Sequence, residues 1–351
     1  MDDFPTITVI TPTYNLIENE LTDEFNLLTI LLSKQSYPNV EHLVIDKASK
    51  DGTVQLLSDY KNKGYIQFYS EPDMGRFDAL NKGIMRAKGD YIAFLNPGDF
   101  IQDIMALEEI VNLMEENGAD YSFGSSYALH PQGIILPFEP AVLNVFQVLP
   151  FPLQSMVFTK AVLKSANYFD TKFKNMADFD LIIRMVMNEY PGIQYNKNYV
   201  TYKISKSIVD ENAANENEVR QIYIKNFRNI YPLTNEIVEK ISKYLDFPKD
   251  LLEKLSTYFP EEYKESFFIA CEEMHKARVE ALQAPMEPQI QENGNSAGDV
   301  QESVNQNVSF SQQNTVQQIP QKTKMQGMNG QPVRQTNPQG QPKFKIPGQN
   351  S

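Results

Sequence analysis

Short apolar runs rich in β-branched residues, separated by stretches of helical periodicity, set the strongest limit on how this chain folds. Ile7–Thr11 is the first run, and a polar turn and a helical pattern through Leu27, Leu28, Leu31 and Leu32 follow it. His42–Ile45, Ile66–Tyr69 and Tyr91–Leu95 are the next three. Between them lie a helix carrying Val54, Leu56, Leu57 and Tyr60, ended by Gly64, and a helix from about Phe77 to Ala87 that stops at Gly89. A further amphipathic helix covers Ile104–Met114. Continuous apolar strands alternating with helices imply an α/β fold, with a mostly parallel sheet covered on both faces.

In such sheets, ligands bind outside the carboxyl ends of the strands. Polar groups stand at all four ends: Thr11, Tyr14 and Asn15 after the first strand, Asp46 after the second, Glu71 and Asp73 after the third, and Asn96, Gly98 and Asp99 after the fourth. Their convergence is the residue-level evidence for a site.

Beyond Asp120 the pattern is mixed. Strands are expected over Tyr121–Leu129, Ile134–Phe138, Ser155–Phe158 and Gln194–Tyr202, with helices from Lys160 and over Ala177–Glu189. From about Asn212 to Ala281 the reading is helical, broken near Pro232, Pro248 and Pro260. The aromatics lie almost entirely before Pro285. From there to Ser351 the chain is rich in Gln, Asn, Pro and Ser and has too few apolar residues to offset ordering entropy, so disorder is expected. Three regions follow: a domain over 1–204, a helical extension over 205–284 and a disordered tail over 285–351 that acts as a tether or a self-association segment.

Composition excludes several classes. A net charge of −13 over 351 residues gives no basic face for nucleic acid. One cysteine, Cys271, allows neither an intramolecular disulfide nor a thiolate cluster, and His42, His130 and His275 share no ligand spacing. The N-terminus reads as an acidic lead into a strand, and no apolar stretch approaches the ~20 residues that span a bilayer. A cytoplasmic protein is expected, with a peripheral contact at the inner face of the membrane left open.

Five segments in order resemble family 2 glycosyltransferases of the GT-A fold. They are Thr11-Pro12-Thr13-Tyr14-Asn15; Val44-Ile45-Asp46 with Ser49, Asp51, Gly52 and Thr53; Ser70 through Ile84, which contains Glu71-Pro72-Asp73-Met74-Gly75-Arg76-Phe77-Asp78-Ala79-Leu80-Asn81-Lys82-Gly83; Phe94-Leu95-Asn96-Pro97-Gly98-Asp99; and Met176-Ala177-Asp178-Phe179-Asp180-Leu181 with Arg184. The third and fourth are similar to the exopolysaccharide-type branch. The resemblance covers roughly residues 5 to 204 and implies a Rossmann-like GT-A domain that moves a sugar from a nucleotide-diphosphate donor, with a lean toward UDP, to a glycan or lipid-linked saccharide, inverting the anomeric carbon.

The resemblance also implies roles. Asp178 is the expected general base. Asp46, Tyr14 and Thr11 would hold the base and ribose, and Asp78, Asn81 and Lys82 would line the donor side, with Asn15, Asp73, Asn96 and Gly98 completing the strand-end site. A departing nucleoside diphosphate gathers negative charge that a hard cation neutralises through oxygen ligands, so Mn2+ or Mg2+ is expected at Asp99. Plainer readings stand beside these. Asn96–Asp99 is also turn chemistry, Asp178 also suits a helix N-terminus, Asp180 is placed to pair with Arg184, Asp51 and Thr53 suit a helix cap, Gly83 and Gly89 suit close packing or a helix end, and Lys82 suits the surface. Lys47 and Leu153-Gln154 depart from the family pattern at the base and at an acceptor- or phosphate-side contact.

Two other functions compete. A sugar-phosphate nucleotidyltransferase would open with a Gly-rich basic loop, which Thr11–Asn15 is not. A glycosyltransferase-like scaffold recruiting partners through the tail would need neither Asp99 nor Asp178.

Overall fold

The computed structural model describes residues 4–130, 132–204 and 212–283, and the backbone of Phe344–Lys345. β1 (Ile7–Thr13), β2 (Val40–Asp46), β3 (Gln67–Ser70) and β4 (Tyr91–Phe94) alternate with α1 (Thr22–Ser33), α2 (Thr53–Asn62) and α3 (Arg76–Arg86) as the periodicity predicts. These strands run parallel, β1 lying between β2 and β4 with β3 outside β2. The close approach of α3 depends on Gly83, where an added Cβ would stand 2.5 Å from Ile10 of β1.

The second half completes a mixed sheet. β9 (Met156–Thr159) runs antiparallel between β4 and β6 (Tyr121–Gly124), and β10 (Gly192–Tyr195) lies parallel beside β6. β12 (Phe344–Lys345) adds a two-residue parallel edge to β10, giving the order β12-β10-β6-β9-β4-β1-β2-β3. Apart from those two residues, the stretch expected to be disordered lies outside the described residues.

Two of the expected strands are each divided. Tyr121–Leu129 splits into β6 and β7 (Ser126–Leu129), and Gln194–Tyr202 into β10 and β11 (Val200–Lys203). In each pair the second strand belongs to a smaller sheet, formed with β5 (Phe100–Ile101) and β8 (Ile135–Phe138) in the order β5-β11-β7-β8. The chain leaves the large sheet at Gly124, whose missing side chain admits the Tyr195 carbonyl at 2.8 Å from a built Cβ, and again at Asn196–Asn198. Gly124-Ser125-Ser126 and Asn196-Lys197-Asn198 interrupt the apolar pattern at the two switches, and the expected strands run across both.

Helices α4 (Ala106–Asn117), α5 (Lys160–Ser165) and α6 (Ala177–Met187) cover the sheet, and the C-terminal helices α7 (Asn212–Phe227), α8 (Asn235–Tyr244), α9 (Lys249–Ser256) and α10 (Lys264–Gln283) follow. The largest apolar cluster is continuous from Ile10, Leu80 and Phe158 through Phe179 and Ile182 to Ile222, Tyr223, Phe227 and Phe267. The extension therefore shares one core with the sheet domain. Within it the rings of Tyr223 and Phe227 stack at 5.5 Å, and Phe146 packs against Phe227 and Phe267. Among the described residues, no helix is long and apolar enough to cross a membrane.

β2 carries a buried titratable group away from any ligand. His42 lies against Phe25, its Nε2 is 3.0 Å from the Thr11 hydroxyl, and its Nδ1 has no partner. Burial pushes its pKa down to about 3. The folded state thus holds His42 neutral, while the unfolded chain takes up a proton below its ordinary pKa of about 6.5. Stability from this group is present above that pH and is lost as pH falls from there toward the folded value. Urea unfolding between pH 7 and pH 5 should show wild type losing about 2 kcal/mol more than His42→Gln. Parallel curves would contradict this account of His42.

Candidate active site

Asp46, fully buried at the end of β2, ties three strand ends together. Its Oδ1 accepts from Ser49 Oγ at 2.5 Å and Thr13 Oγ1 at 3.3 Å, and its Oδ2 from Ser70 Oγ at 2.7 Å and the Ser49 amide at 2.9 Å. Thr11 is likewise buried, bonded to His42. Both are expected to hold base and ribose, and in the structure both side chains are bonded within the strand-end loops. Asn15, in a left-handed conformation, accepts from the Lys50 amide at 3.2 Å and links the first two loops. Asp51 accepts from Thr53 N–H as a cap would, although Gly52 stands at the N-cap position.

Tyr14 is the exposed member of this end. The Lys47 ammonium lies 5.6 Å from its ring centre and pairs with Asp73 at 3.3 Å. Asp73 also accepts from Gly75 N–H at 2.9 Å, shaping the turn into α3. On α3, Asp78 accepts from Met74 N–H and pairs with Lys82 at 3.2 Å, and Lys82 also donates to the Pro72 carbonyl at 2.7 Å. Both amide ends of Asn81 clamp the Phe169 backbone, at 2.9 and 3.0 Å. These three side chains hold the loop before α3 and the segment beyond it. Leu153 is buried in the main core, and the Gln154 carbonyl accepts from Tyr199.

Asp99, beyond β4, is 1% exposed. Its Oδ2 accepts from the Asn96 amide at 2.7 Å and Asn96 Nδ2 at 2.9 Å, and its Oδ1 from the Lys203 amide at 2.9 Å. Gly98, at φ 95°, supplies the turn that brings it inward. Burial pushes the Asp99 pKa up to about 6 against these donors. Such a carboxylate clasps the β4 loop to β11 and offers no open pair of oxygens. Among the described residues no group of three or more His, Cys, Asp or Glu is arranged to hold a metal ion. The donor set does not fit the Mn2+ or Mg2+ expected at Asp99, and no chemistry is derived through a metal here.

Asp178 differs. It is buried in the first turn of α6, where its Oδ1 accepts from the Phe179 amide at 2.9 Å and its Oδ2 has no partner among the described residues. Burial raises its pKa; the charge of Arg76 opposes that shift and the charge of Glu218 adds to it. Asp180, fully buried, pairs with Arg184 at 2.8 Å, as its spacing predicts, and also with Lys225 at 2.9 Å and Asn226 at 3.1 Å of α7.

Two residues that shape the site are not singled out by the sequence reading. Glu218 of α7 accepts from three consecutive amides leading into α6: Lys174 at 2.7 Å, Asn175 at 3.0 Å and Met176 at 2.9 Å. With Asn215, Lys225 and Asn226 it forms a polar stripe on one helix face, which reads as a solvated surface when the partner is unknown. Arg76 opens α3, where a cation opposes the helix dipole. That misplacement was a usable signal.

The family profile for glycosyl transferase family 2 matches residues 8–131, from β1 through β7. Residues 8–131 thus match a family 2 glycosyltransferase domain. An uncharacterized glycosyltransferase of Mycobacterium tuberculosis is 28% identical over 194 residues, covering 53% of this chain and 71% of that one. The putative teichuronic acid biosynthesis glycosyltransferase TuaG of Bacillus subtilis is 33% identical over 131 residues, covering 36% of this chain and 49% of TuaG. Among solved structures, S. aureus TarS 1-349 in complex with UDP-GlcNAc superposes with a TM-score of 0.50 at 16% identity, covering 79% of this chain and 92% of TarS 1-349. The mannosyltransferase PcManGT of Pyrobaculum calidifontis, in complex with GDP-Man and Mn2+, gives 0.50 at 18% identity, covering 81% and 82%. These likenesses establish the GT-A fold of the glycosyltransferase domain.

Glu218 gives the site a testable electrostatic signature. Its charge raises the Asp178 pKa, so in Glu218→Gln the Asp178 carboxyl should titrate at lower pH. A carboxyl titration followed by NMR checks this, and an unmoved Asp178 titration would contradict it.

Proposed function

We propose that this chain is an inverting glycosyltransferase in which Asp178 takes the proton of the acceptor hydroxyl. One observation carries the reading. Asp46, Asp99 and Asp180 have both carboxylate oxygens engaged, whereas Asp178 keeps Oδ2 without a partner. A buried carboxylate with raised proton affinity and one uncommitted oxygen has the properties of a general base.

The reaction is a single displacement. The acceptor oxygen bonds to the anomeric carbon, its proton passes to Asp178 Oδ2, and the bond to the nucleoside diphosphate breaks with its electron pair leaving on the phosphate oxygen. Attack from the side opposite the leaving group inverts the centre. The donor is a nucleoside diphosphate sugar, as in the UDP-GlcNAc and GDP-Man complexes of TarS and PcManGT. Its nucleoside rests toward the exposed Tyr14 ring and the Lys47–Asp73 pair. The acceptor is a hydroxyl of a glycan or a lipid-linked saccharide.

Asp178→Asn tests the base directly, because it keeps shape while removing proton affinity. Release of nucleoside diphosphate from a panel of UDP- and GDP-sugars should fall by roughly 10²–10⁴-fold, with donor affinity unchanged. Turnover surviving within a few-fold would remove Asp178 from that role.

A further inference from the structure

Among the described residues, Arg76 is a cation of this site with no hydrogen-bond or ion-pair partner. The neighbouring basic side chains are engaged: Lys47 pairs with Asp73, Lys82 with Asp78, Arg86 with Glu71 at 2.9 Å, and Lys174 donates to the Met74 carbonyl. Among the described residues, the Arg76 guanidinium makes neither a hydrogen bond nor an ion pair, and its Nε is buried without a partner. The side chain lies over the Phe77 ring, with the guanidinium carbon 5.0 Å from the ring centre.

Its position in the fold gives no structural reason for a cation. Arg76 is the first residue of α3, which no side chain caps at Gly75 (φ 138°) and where a built Cβ would meet nothing within 4 Å. A positive charge there opposes the helix dipole, and the buried Nε has no hydrogen bond to offset its desolvation. The field of Arg76 reaches both Asp99 and Asp178, although it pairs with neither. The unpaired cation therefore stands at the end of the sheet where the base lies and where Asp99 has no oxygen pair open to a metal.

We propose that the Arg76 guanidinium binds the diphosphate of the donor, so that nucleoside diphosphate binding requires no divalent cation. The inference rests on the nucleotide-sugar reading of the site above. A diphosphate presents paired oxygens that match the planar N–H fork of Arg, and it would also complement the uncapped start of α3. As the sugar departs, the charge collecting on the leaving phosphate faces this fixed cation.

The test is calorimetric titration of UDP, GDP, dTDP and CDP into the full chain, in EDTA and then in MnCl2. At least one nucleotide should bind in EDTA, and Mn2+ should tighten that binding by no more than a few-fold. Arg76→Gln should weaken it by about 10- to 100-fold, and Arg76→Lys should fall between, keeping charge but losing the fork. The thermal midpoint of Arg76→Gln should be no lower than that of wild type, which separates lost binding from lost folding. Binding that appears only with Mn2+, or Arg76→Gln binding as tightly as wild type in EDTA, would overturn the proposal while leaving the donor reading intact. A wild-type chain that binds none of the four in either buffer would overturn the donor reading and the proposal with it.

Discussion

A carboxylate taken out of water must be given donors, and that requirement organises this molecule. Asp46 draws Thr13, Ser49 and Ser70 onto one pair of oxygens and so fixes three strand ends against each other. Asp99 does the same for the loop after β4 and for β11. Asp180 gathers Arg184, Lys225 and Asn226, and thereby joins α6 to α7. Removing one ionic partner of Asp180 would typically destabilise by about 3–5 kcal/mol, because the remaining charge is left uncompensated. The clusters hold geometry that apolar packing alone would leave free to slide.

Against that background, two charged groups of the site are incompletely satisfied. Among the described residues, Asp178 keeps one oxygen without a partner, and Arg76 keeps its buried Nε without one. They have opposite charge and lie near enough to influence each other without pairing. On the proposed reading, the base serves an acceptor hydroxyl losing a proton and the cation a diphosphate gaining charge. The C-terminal helices belong to this arrangement. Glu218 fixes the amides before α6, and Tyr223 and Phe227 continue the core of the sheet domain.

The first half of the fold was legible because buried parallel strands leave continuous apolar runs, and β1 to β4 followed them closely. The passage of the chain between sheets at Gly124 and at Asn196–Asn198 was not, since the polar breaks there do not say which sheet receives the strand that follows. Within the site, the Asp180–Arg184 pair could be read from spacing. Thr11, Asp46 and Asn81 could be placed near the strand ends, but sequence does not distinguish a side chain that faces a ligand from one that clasps a loop below it. Glu218 was hidden for a related reason, because its partners are backbone amides more than forty residues away in sequence. Arg76 was visible in the motif, and only its poor fit to a helix start marked it as unusual.

The central claim is that one ligand bridges the unsatisfied cation and the base at the carboxyl ends of the sheet. A crystal structure of the protein with a bound nucleoside diphosphate measures this directly. The account predicts the diphosphate on the Arg76 guanidinium at the start of α3, the nucleoside toward Tyr14, and Asp178 Oδ2 facing the space where the sugar would lie. A diphosphate seated away from Arg76, or a nucleotide lying on the far side of the sheet from Asp178, would contradict it.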